Sequence, residues 1–187
     1  IEEHEGFLLV ESLGRLEGKM IEFPFPSVGA TENTLLAAVL AKGTTRLINC
    51  AREPEIIHLC HFLQAMGAEI GGIGTGELWV RGVRTLRDVE YQIPPDRIVA
   101  GTFLYGAAAT RGKIMLDNAP VEEMGAVLEV YEKMGGQWEY KGGKLLADAR
   151  TVHLSPGKVE TSCYPGFPTD MQSILLAVLL TISGESC

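Results

Sequence analysis

Val28-Gly-Ala-Thr-Glu-Asn-Thr-Leu-Leu-Ala-Ala-Val-Leu-Ala-Lys-Gly43 lies in register with Arg97-Ile-Val-Ala-Gly-Thr-Phe-Leu-Tyr-Gly-Ala-Ala-Ala-Thr-Arg-Gly112, at an offset of 69 residues. Both stretches are small and apolar and both close on glycine, the pattern of a helix with glycine just past its end. A third, Asp170-Met-Gln-Ser-Ile-Leu-Leu-Ala-Val-Leu-Leu-Thr-Ile-Ser-Gly184, follows at an offset of 72. Self-similarity at a near-constant spacing is the signature of a repeat architecture. The remainder of each copy falls into order around these helices. Opening strands are expected at 20–23, 89–93 and 158–162, and a strand ending in Asn follows the helix at 44–49 and 113–118. A second helix is expected at 54–66 and 121–134, each ending Met-Gly, before two short strands at 68–73 with 77–80 and at 137–140 with 144–147. Each copy therefore reads β-α-β-α-β-β, an α/β fold. Residues 1–10 resemble the closing hairpin of an earlier copy, so the chain is expected to open and close in mid-repeat, as a piece of a longer protein.

The first helix of each copy is apolar nearly all round, which a helix tolerates when it is surrounded. The second is one-sided: Ile56, Leu59, Cys60, Leu63 and Met66 share a stripe, with Glu55, His58, His61 and Gln64 outside it. Copies packed around a pseudo-symmetry axis would bring the first helices together inside and leave the sheets outside, the reverse of an ordinary β/α barrel. Glycines 43, 67, 112, 135 and 184 stand where helices stop and a positive φ is useful.

Composition narrows the functional classes. The 187 residues carry a formal charge of −8 and are 46% hydrophobic. The longest apolar runs, 174–182 and 35–40, fall well short of the roughly 20 residues a membrane helix needs. The opening residues, Ile-Glu-Glu-His-Glu-Gly, hold neither a basic nor an apolar targeting stretch. An acidic balance without a Lys/Arg cluster argues against a nucleic-acid or anionic-membrane partner. Cys50, Cys60, Cys163 and Cys187 form no CxxC pair and read as the reduced thiols of a cytoplasmic protein. His58 and His61 are helix neighbours beside Cys60, but no third and fourth ligand stands at a recognisable spacing, so no metal site is expected.

A Pro-bearing loop leads into each first helix: Phe23-Pro-Phe-Pro-Ser-Val-Gly-Ala-Thr31, Ile93-Pro-Pro-Asp-Arg97 and Tyr164-Pro-Gly-Phe-Pro-Thr-Asp170. A helix N-terminus presents unpaired N–H groups and partial positive charge. Ser27, Val28 and Gly29 can cradle a phosphate or nucleotide edge there, or Ser27 or Thr31 can simply cap the helix. Asp170 divides the same way, between a cap and a base acting on a substrate hydroxyl. A carboxylate with a reference pKa of about 4 cannot strip a sugar hydroxyl outright, and accepts the proton only as the oxygen attacks. Arg52-Glu53-Pro54-Glu55 and Asp96-Arg97 read as local capping and ion pairing at helix starts. Gly72-Ile-Gly-Thr-Gly76 mimics a dinucleotide fingerprint but lies between two strands, where it reads as a hairpin turn.

Phe25-Pro-Ser-Val-Gly-Ala-Thr-Glu-Asn33, Cys50-Ala-Arg-Glu-Pro-Glu-Ile56, Pro95-Asp-Arg-Ile98 and Gly166-Phe-Pro-Thr-Asp-Met-Gln172 together resemble the UDP-N-acetylglucosamine 1-carboxyvinyltransferases, the UDP-N-acetylglucosamine enolpyruvyl transferases, in order and spacing along almost the whole chain. The resemblance implies an inside-out α/β barrel (EPSP synthase-like), two domains of three βαβαββ units each. Residues 1–93 would be the C-terminal part of the first, catalytic domain and 94–187 the N-terminal part of the second. It implies transfer of the enolpyruvyl group of phosphoenolpyruvate to the 3-hydroxyl of UDP-N-acetylglucosamine, with release of phosphate, in the cytoplasm and at the first committed step of peptidoglycan synthesis, without a cofactor. By resemblance Ser27, Val28 and Gly29 hold the uridine-diphosphate part, while Asp170, with Thr169 beside it, meets the sugar hydroxyl as the usual candidate base. Arg52, Glu53, Glu55, Asp96 and Arg97 match charged positions near the interdomain cleft, with roles left open.

Two departures stand out. Phe25 occupies a place where relatives can carry a basic residue, and none of the four cysteines matches the family's proton-donating cysteine, whose flexible loop lies upstream of these motifs. The lysine and arginine that hold phosphoenolpyruvate also lie upstream, and a further arginine downstream. The chain alone is therefore expected to turn nothing over, and its apolar first helices to drive self-association. The competing readings are the sister enzyme that makes 5-enolpyruvylshikimate-3-phosphate, and a non-catalytic module that binds a nucleotide sugar.

Overall fold

Alternation decides which side of each strand is buried. In Thr44–Ile48 and Glu77–Arg81, Leu47, Leu78 and Val80 point into a core while Arg46, Glu77, Trp79 and Arg81 point out. The computed structural model describes residues 1–187 and resolves into two compact units, Ile1–Gln92 and Ile93–Cys187. No helix is long and apolar enough to cross a membrane.

The first unit begins with an antiparallel hairpin, β1 (Glu2–His4) with β2 (Phe7–Leu9). Its main sheet has the order β3-β4-β6-β5, from β3 (Met20–Glu22), β4 (Thr44–Ile48), β5 (Glu69–Gly71) and β6 (Glu77–Arg81). β3 runs parallel to β4, as a strand-helix-strand crossover requires, and the other pairs are antiparallel. Helices α1 (Val28–Ala38) and α2 (Pro54–Ala65) complete the copy, with Leu35, Leu47, Cys60 and Val80 at the centre of the core. Gly82 is where a close approach forbids a side chain: a Cβ there would stand 1.8 Å from the Ala41 carbonyl oxygen.

The second unit holds a three-stranded antiparallel sheet in the order β7-β9-β8, from β7 (Lys113–Asp117), β8 (Gln137–Lys141) and β9 (Lys144–Asp148). α3 (Arg97–Thr110) packs against α5 (Gln172–Leu179), so the first helices of two successive copies meet, with α4 (Gly125–Lys133) beside α3. The Tyr105 hydroxyl is buried and donates to the Val127 carbonyl at 3.0 Å, tying α3 to α4. Burial holds that phenol well above its ordinary range. At the end of β9, Asp148 accepts two hydrogen bonds from the Arg150 guanidinium, at 2.9 and 2.8 Å, and one from the Arg150 amide at 3.2 Å, and pairs with Lys113 at 2.9 Å. Hydrogen bonds from Arg150 first, and Lys113 second, hold its carboxyl far below the usual carboxylate range.

Several expectations are corrected. Neither 89–93 nor 158–162 is a strand: the first stretch pairs with nothing, and the second keeps one isolated bridge, Thr161 to Phe167. Tyr91 instead sets its ring edge-on to Phe62 of α2, 5.2 Å between centroids, and Val159 donates to the Cys187 carbonyl. The helix expected over 121–134 is split, a 3-10 turn at Val121–Glu123 giving way to α4 only at Gly125, because Met124 adopts φ −105° and ψ 11°. The third first-helix stops at Leu179, where Thr181 bonds back to the Val178 carbonyl through both its amide and its hydroxyl. Positive φ is found at Gly43, Gly67, Gly135 and Gly184 but not at Gly112: α3 runs on to Thr110, so Arg111 takes the left-handed cap at φ 54°. Exposed apolar residues four apart accompany each first helix: Val99 with Phe103 within α3, Leu36 with Leu40 just past α1, and Leu176 with Leu180 just past α5.

Leu35 has no exposed surface and its neighbour Leu36 is 52% exposed. Leu35→Ala should therefore lower unfolding free energy by about 2–5 kcal/mol, and Leu36→Ala by less than about 0.5 kcal/mol, measured by urea denaturation followed by circular dichroism. A folded-state pKa below the unfolded value means that Asp148 adds stability above about pH 4, and that this contribution drains away as pH falls further. Wild type and Asp148→Asn should accordingly differ in urea midpoint at pH 7 and converge as the pH drops below 4.

Candidate functional site

In the first unit the site is built on the start of α1. Ser27 has extended backbone (φ −100°, ψ 125°) and its hydroxyl accepts from the Ala30 amide at 3.3 Å, so it caps the helix as the sequence allowed. The Ser27 carbonyl takes the first helical bond from the Thr31 amide, at 3.0 Å. Between them the amides of Val28 and Gly29 donate to no protein acceptor, and a Cβ on Gly29 would meet nothing within 4 Å. Two neighbouring N–H groups at a helix start, beside an open glycine, suit an anionic oxygen. Thr31 is no cap: it is buried, donates its hydroxyl to the Ser27 carbonyl at 2.8 Å, and accepts from the Ala51 amide at 3.1 Å. Asn49, in the left-handed region at φ 61°, adds a second tie from its side-chain amide to the Phe23 carbonyl at 2.9 Å.

Ala51 leads into the charged run at the start of α2. Arg52 is exposed and Glu55 half-buried, but Glu53 is buried, with no side-chain cap bond, while its carbonyl accepts from Ile56 at 2.9 Å. The expectation of local capping is corrected at Glu53, whose side chain makes no cap bond and is buried next to Pro54 and Ile56. Phe25, in the loop entering α1, stands 64% exposed.

In the second unit Asp96 does cap α3, its carboxylate accepting from Ile98 at 2.7 Å and Val99 at 3.1 Å. Arg97 is not an exposed surface residue: it is 7% exposed, and its guanidinium carbon lies 5.5 Å from the centre of the Tyr164 ring, a cation–π contact. The loop that follows Tyr164 is fixed by its own backbone, Gly166 donating to the Cys163 carbonyl and Ser162 to that of Phe167. Phe167 and Met171 are buried and flank Thr169 and Asp170, which are exposed. Met171 packs on Gly101 of α3, where a Cβ would come within 3.0 Å of its sulfur. Asp170 does not cap α5: it lies inside a 3-10 turn, Thr169–Met171, and α5 starts two residues later with Met171 at its cap. Its carboxylate accepts no internal hydrogen bond and faces solvent, open to a ligand hydroxyl.

The first unit thus ties the Ser27 loop to Ala51 through Thr31, and the second holds Thr169 and Asp170 on a turn seated against α3. Thr31 as a link and Tyr164 as the partner of Arg97 escaped the sequence reading, although the hydroxyl one turn after Ser27 and the aromatic before Pro165 were its available signals. Among the thiols, Cys50 and Cys60 are buried and desolvation pushes both up, Cys60 to about 11, which leaves them poor nucleophiles at neutral pH. Cys163 and Cys187 are exposed.

Comparison with known proteins agrees with this architecture. The profile of the family described as EPSP synthase (3-phosphoshikimate 1-carboxyvinyltransferase) matches residues 1–187. The UDP-N-acetylglucosamine 1-carboxyvinyltransferase of Novosphingobium aromaticivorans is 47% identical over 173 residues, 92% of this chain and 40% of that protein. That of Granulibacter bethesdensis is 46% identical over 181 residues, 97% of this chain and 43% of that protein. The chain spans about two fifths of the length of these curated relatives. In fold it resembles the enolpyruvyl transferase NikO from Streptomyces tendae, with a TM-score of 0.72 at 21% identity over 84% of this chain and 38% of that one. EPSP synthase from Acinetobacter baumannii gives 0.55 at 20% identity over 88% of this chain and 37% of that one. On a family profile matched from the first residue to the last, and on a repeat fold shared with solved enolpyruvyl transferases, the chain belongs to the EPSP synthase family.

Proposed function

We propose that this chain is the central part of a UDP-N-acetylglucosamine 1-carboxyvinyltransferase, which moves the enolpyruvyl group of phosphoenolpyruvate to the 3-hydroxyl of UDP-N-acetylglucosamine and releases phosphate. The observation that carries the reading is identity: relatives bearing that name are 42–47% identical over more than nine tenths of the chain. The solved EPSP synthases reach only 20–24%. Residues 1–93 belong in this reading to the first domain and 94–187 to the second. The setting is the cytoplasm, at the entry to peptidoglycan synthesis, and no cofactor takes part.

The chemistry divides between the two units. The free amides of Val28 and Gly29, with the Ser27 loop, receive the diphosphate of the nucleotide sugar. The exposed Asp170 carboxylate accepts the proton of the sugar hydroxyl while that oxygen attacks the carbon bearing phosphate, and Thr169 lies beside it. A proton goes to the methylene carbon of phosphoenolpyruvate from a donor outside these residues; phosphate then leaves the tetrahedral adduct as the same carbon gives up a proton, which restores the double bond of the enolpyruvyl group. The buried, raised thiols of Cys50 and Cys60 are unsuited to give that proton.

The family description names the shikimate-phosphate enzyme, and that second acceptor is separable by experiment. Calorimetric titration of the full-length protein carrying this segment should give binding with UDP-N-acetylglucosamine and none with shikimate 3-phosphate; the opposite pattern would overturn the proposal. Asp170→Asn in that protein should lower kcat roughly 10²–10⁴-fold in a phosphate-release assay. The 187-residue chain alone, mixed with both substrates, should release no phosphate above background.

A further inference from the structure

The buried hydroxyl of Thr31 is not needed by the helix that carries it. The Ser27 carbonyl already receives the Thr31 amide at 3.0 Å, so the hydroxyl bond to the same oxygen at 2.8 Å is a second one. What the hydroxyl alone satisfies is the amide of Ala51, itself buried, at 3.1 Å. One atom therefore joins the loop entering α1 to the turn entering α2, 20 residues further on. Asn49 to Phe23 and Phe23 to Ile48 pin the other end of the same loop.

The repeat supplies an internal control. At the offset of 69 residues, Ala100 takes the place of Thr31 and Pro120 that of Ala51. The second copy thus lacks the hydroxyl and the amide together, while Asn118 preserves the left-handed bend of Asn49, at φ 55° against 61°. α3 forms regardless, and runs 14 residues. The link is no requirement of the fold. The counterpart of Ser27 is Asp96, whose carboxylate fills the amides of Ile98 and Val99. In the first copy Ser27 fills only that of Ala30, and Gly29, the counterpart of Ile98, keeps its N–H open. The copy with open amides is the copy with the link.

We propose that Thr31 is a positioning residue, which locks the Ser27–Gly29 amides against the Ala51–Arg52 turn so that the diphosphate of a nucleotide sugar meets a preformed cradle. The inference rests on the proposed role of Ser27, Val28 and Gly29. A loop already held in its bound shape loses less freedom when ligand arrives, so losing the link acts on binding of this one substrate.

In the full-length protein, Thr31→Val should raise KM for UDP-N-acetylglucosamine roughly tenfold, with kcat and the KM for phosphoenolpyruvate within about twofold. Thr31→Ser, which restores the hydroxyl, should return KM to within about threefold of wild type. The double variant Thr31→Ala with Ala51→Pro installs the pair the second copy uses; it should fold and show the same rise in KM. An unchanged KM in folded Thr31→Val or in the double variant overturns the proposal, as does failure of both to fold. Wild type that binds no UDP-N-acetylglucosamine overturns the functional reading instead. Hydrogen exchange then judges the link by itself: faster exchange at Val28, Gly29 and Ala51 in Thr31→Val supports it, and unchanged exchange sinks it.

Discussion

Leu35 and Leu104 occupy the same place in successive copies, and neither has any exposed surface. Each is the point where a first helix presses on its own sheet and second helix. Fully burying a leucine is worth about 1.5–3 kcal/mol, and each unit repeats that contact through its own core cluster. Everything that carries chemistry hangs from those anchored helices. The Val28 and Gly29 amides are open because they belong to the first turn of α1, ahead of its first internal bonds, and Asp170 stands exposed between buried Phe167 and Met171.

That arrangement explains why the two candidate clusters, one in each unit, are built so differently. The first uses backbone: paired N–H groups, an open glycine and a loop stitched to its neighbour by Thr31 and Asn49. The second uses side chains: a carboxylate on a short turn, a capped helix, and a buried guanidinium against an aromatic ring. Amides whose direction is fixed by a helix suit a ligand part with fixed charge. A carboxylate suits a hydroxyl whose proton must move.

The helices were legible because their signal is local: periodicity, a closing glycine and Met-Gly endings all lie within one stretch of chain. The resemblance carried by Ser27-Val-Gly and Phe167-Pro-Thr-Asp170 rests on equally short motifs. The failures have a common cause in partners that lie far along the chain. Residues 89–93 and 158–162 have strand-like composition, but a strand exists only where another accepts its hydrogen bonds, and no local pattern announces that. Arg97 reads as part of an exposed cluster, yet it is buried and lies against Tyr164, 67 positions later. Thr31 reads as a cap until Ala51 donates to it. Asp170 misled differently: the chain spends Thr169–Met171 in a tighter turn before α5, which moves the cap past the carboxylate.

The sheets carry a further consequence. The chain holds two tryptophans, one in each unit. Trp79 lies half-exposed across Gly71, where a Cβ would collide with its indole, and Trp138 is half-buried with its indole N–H donated to Glu132 at 2.7 Å. Their emission therefore arises from different surroundings, the wetter ring reporting at longer wavelength. Replacing either one by phenylalanine leaves a single intrinsic fluorophore, through which the melting of one half of the molecule can be watched without interference from the other.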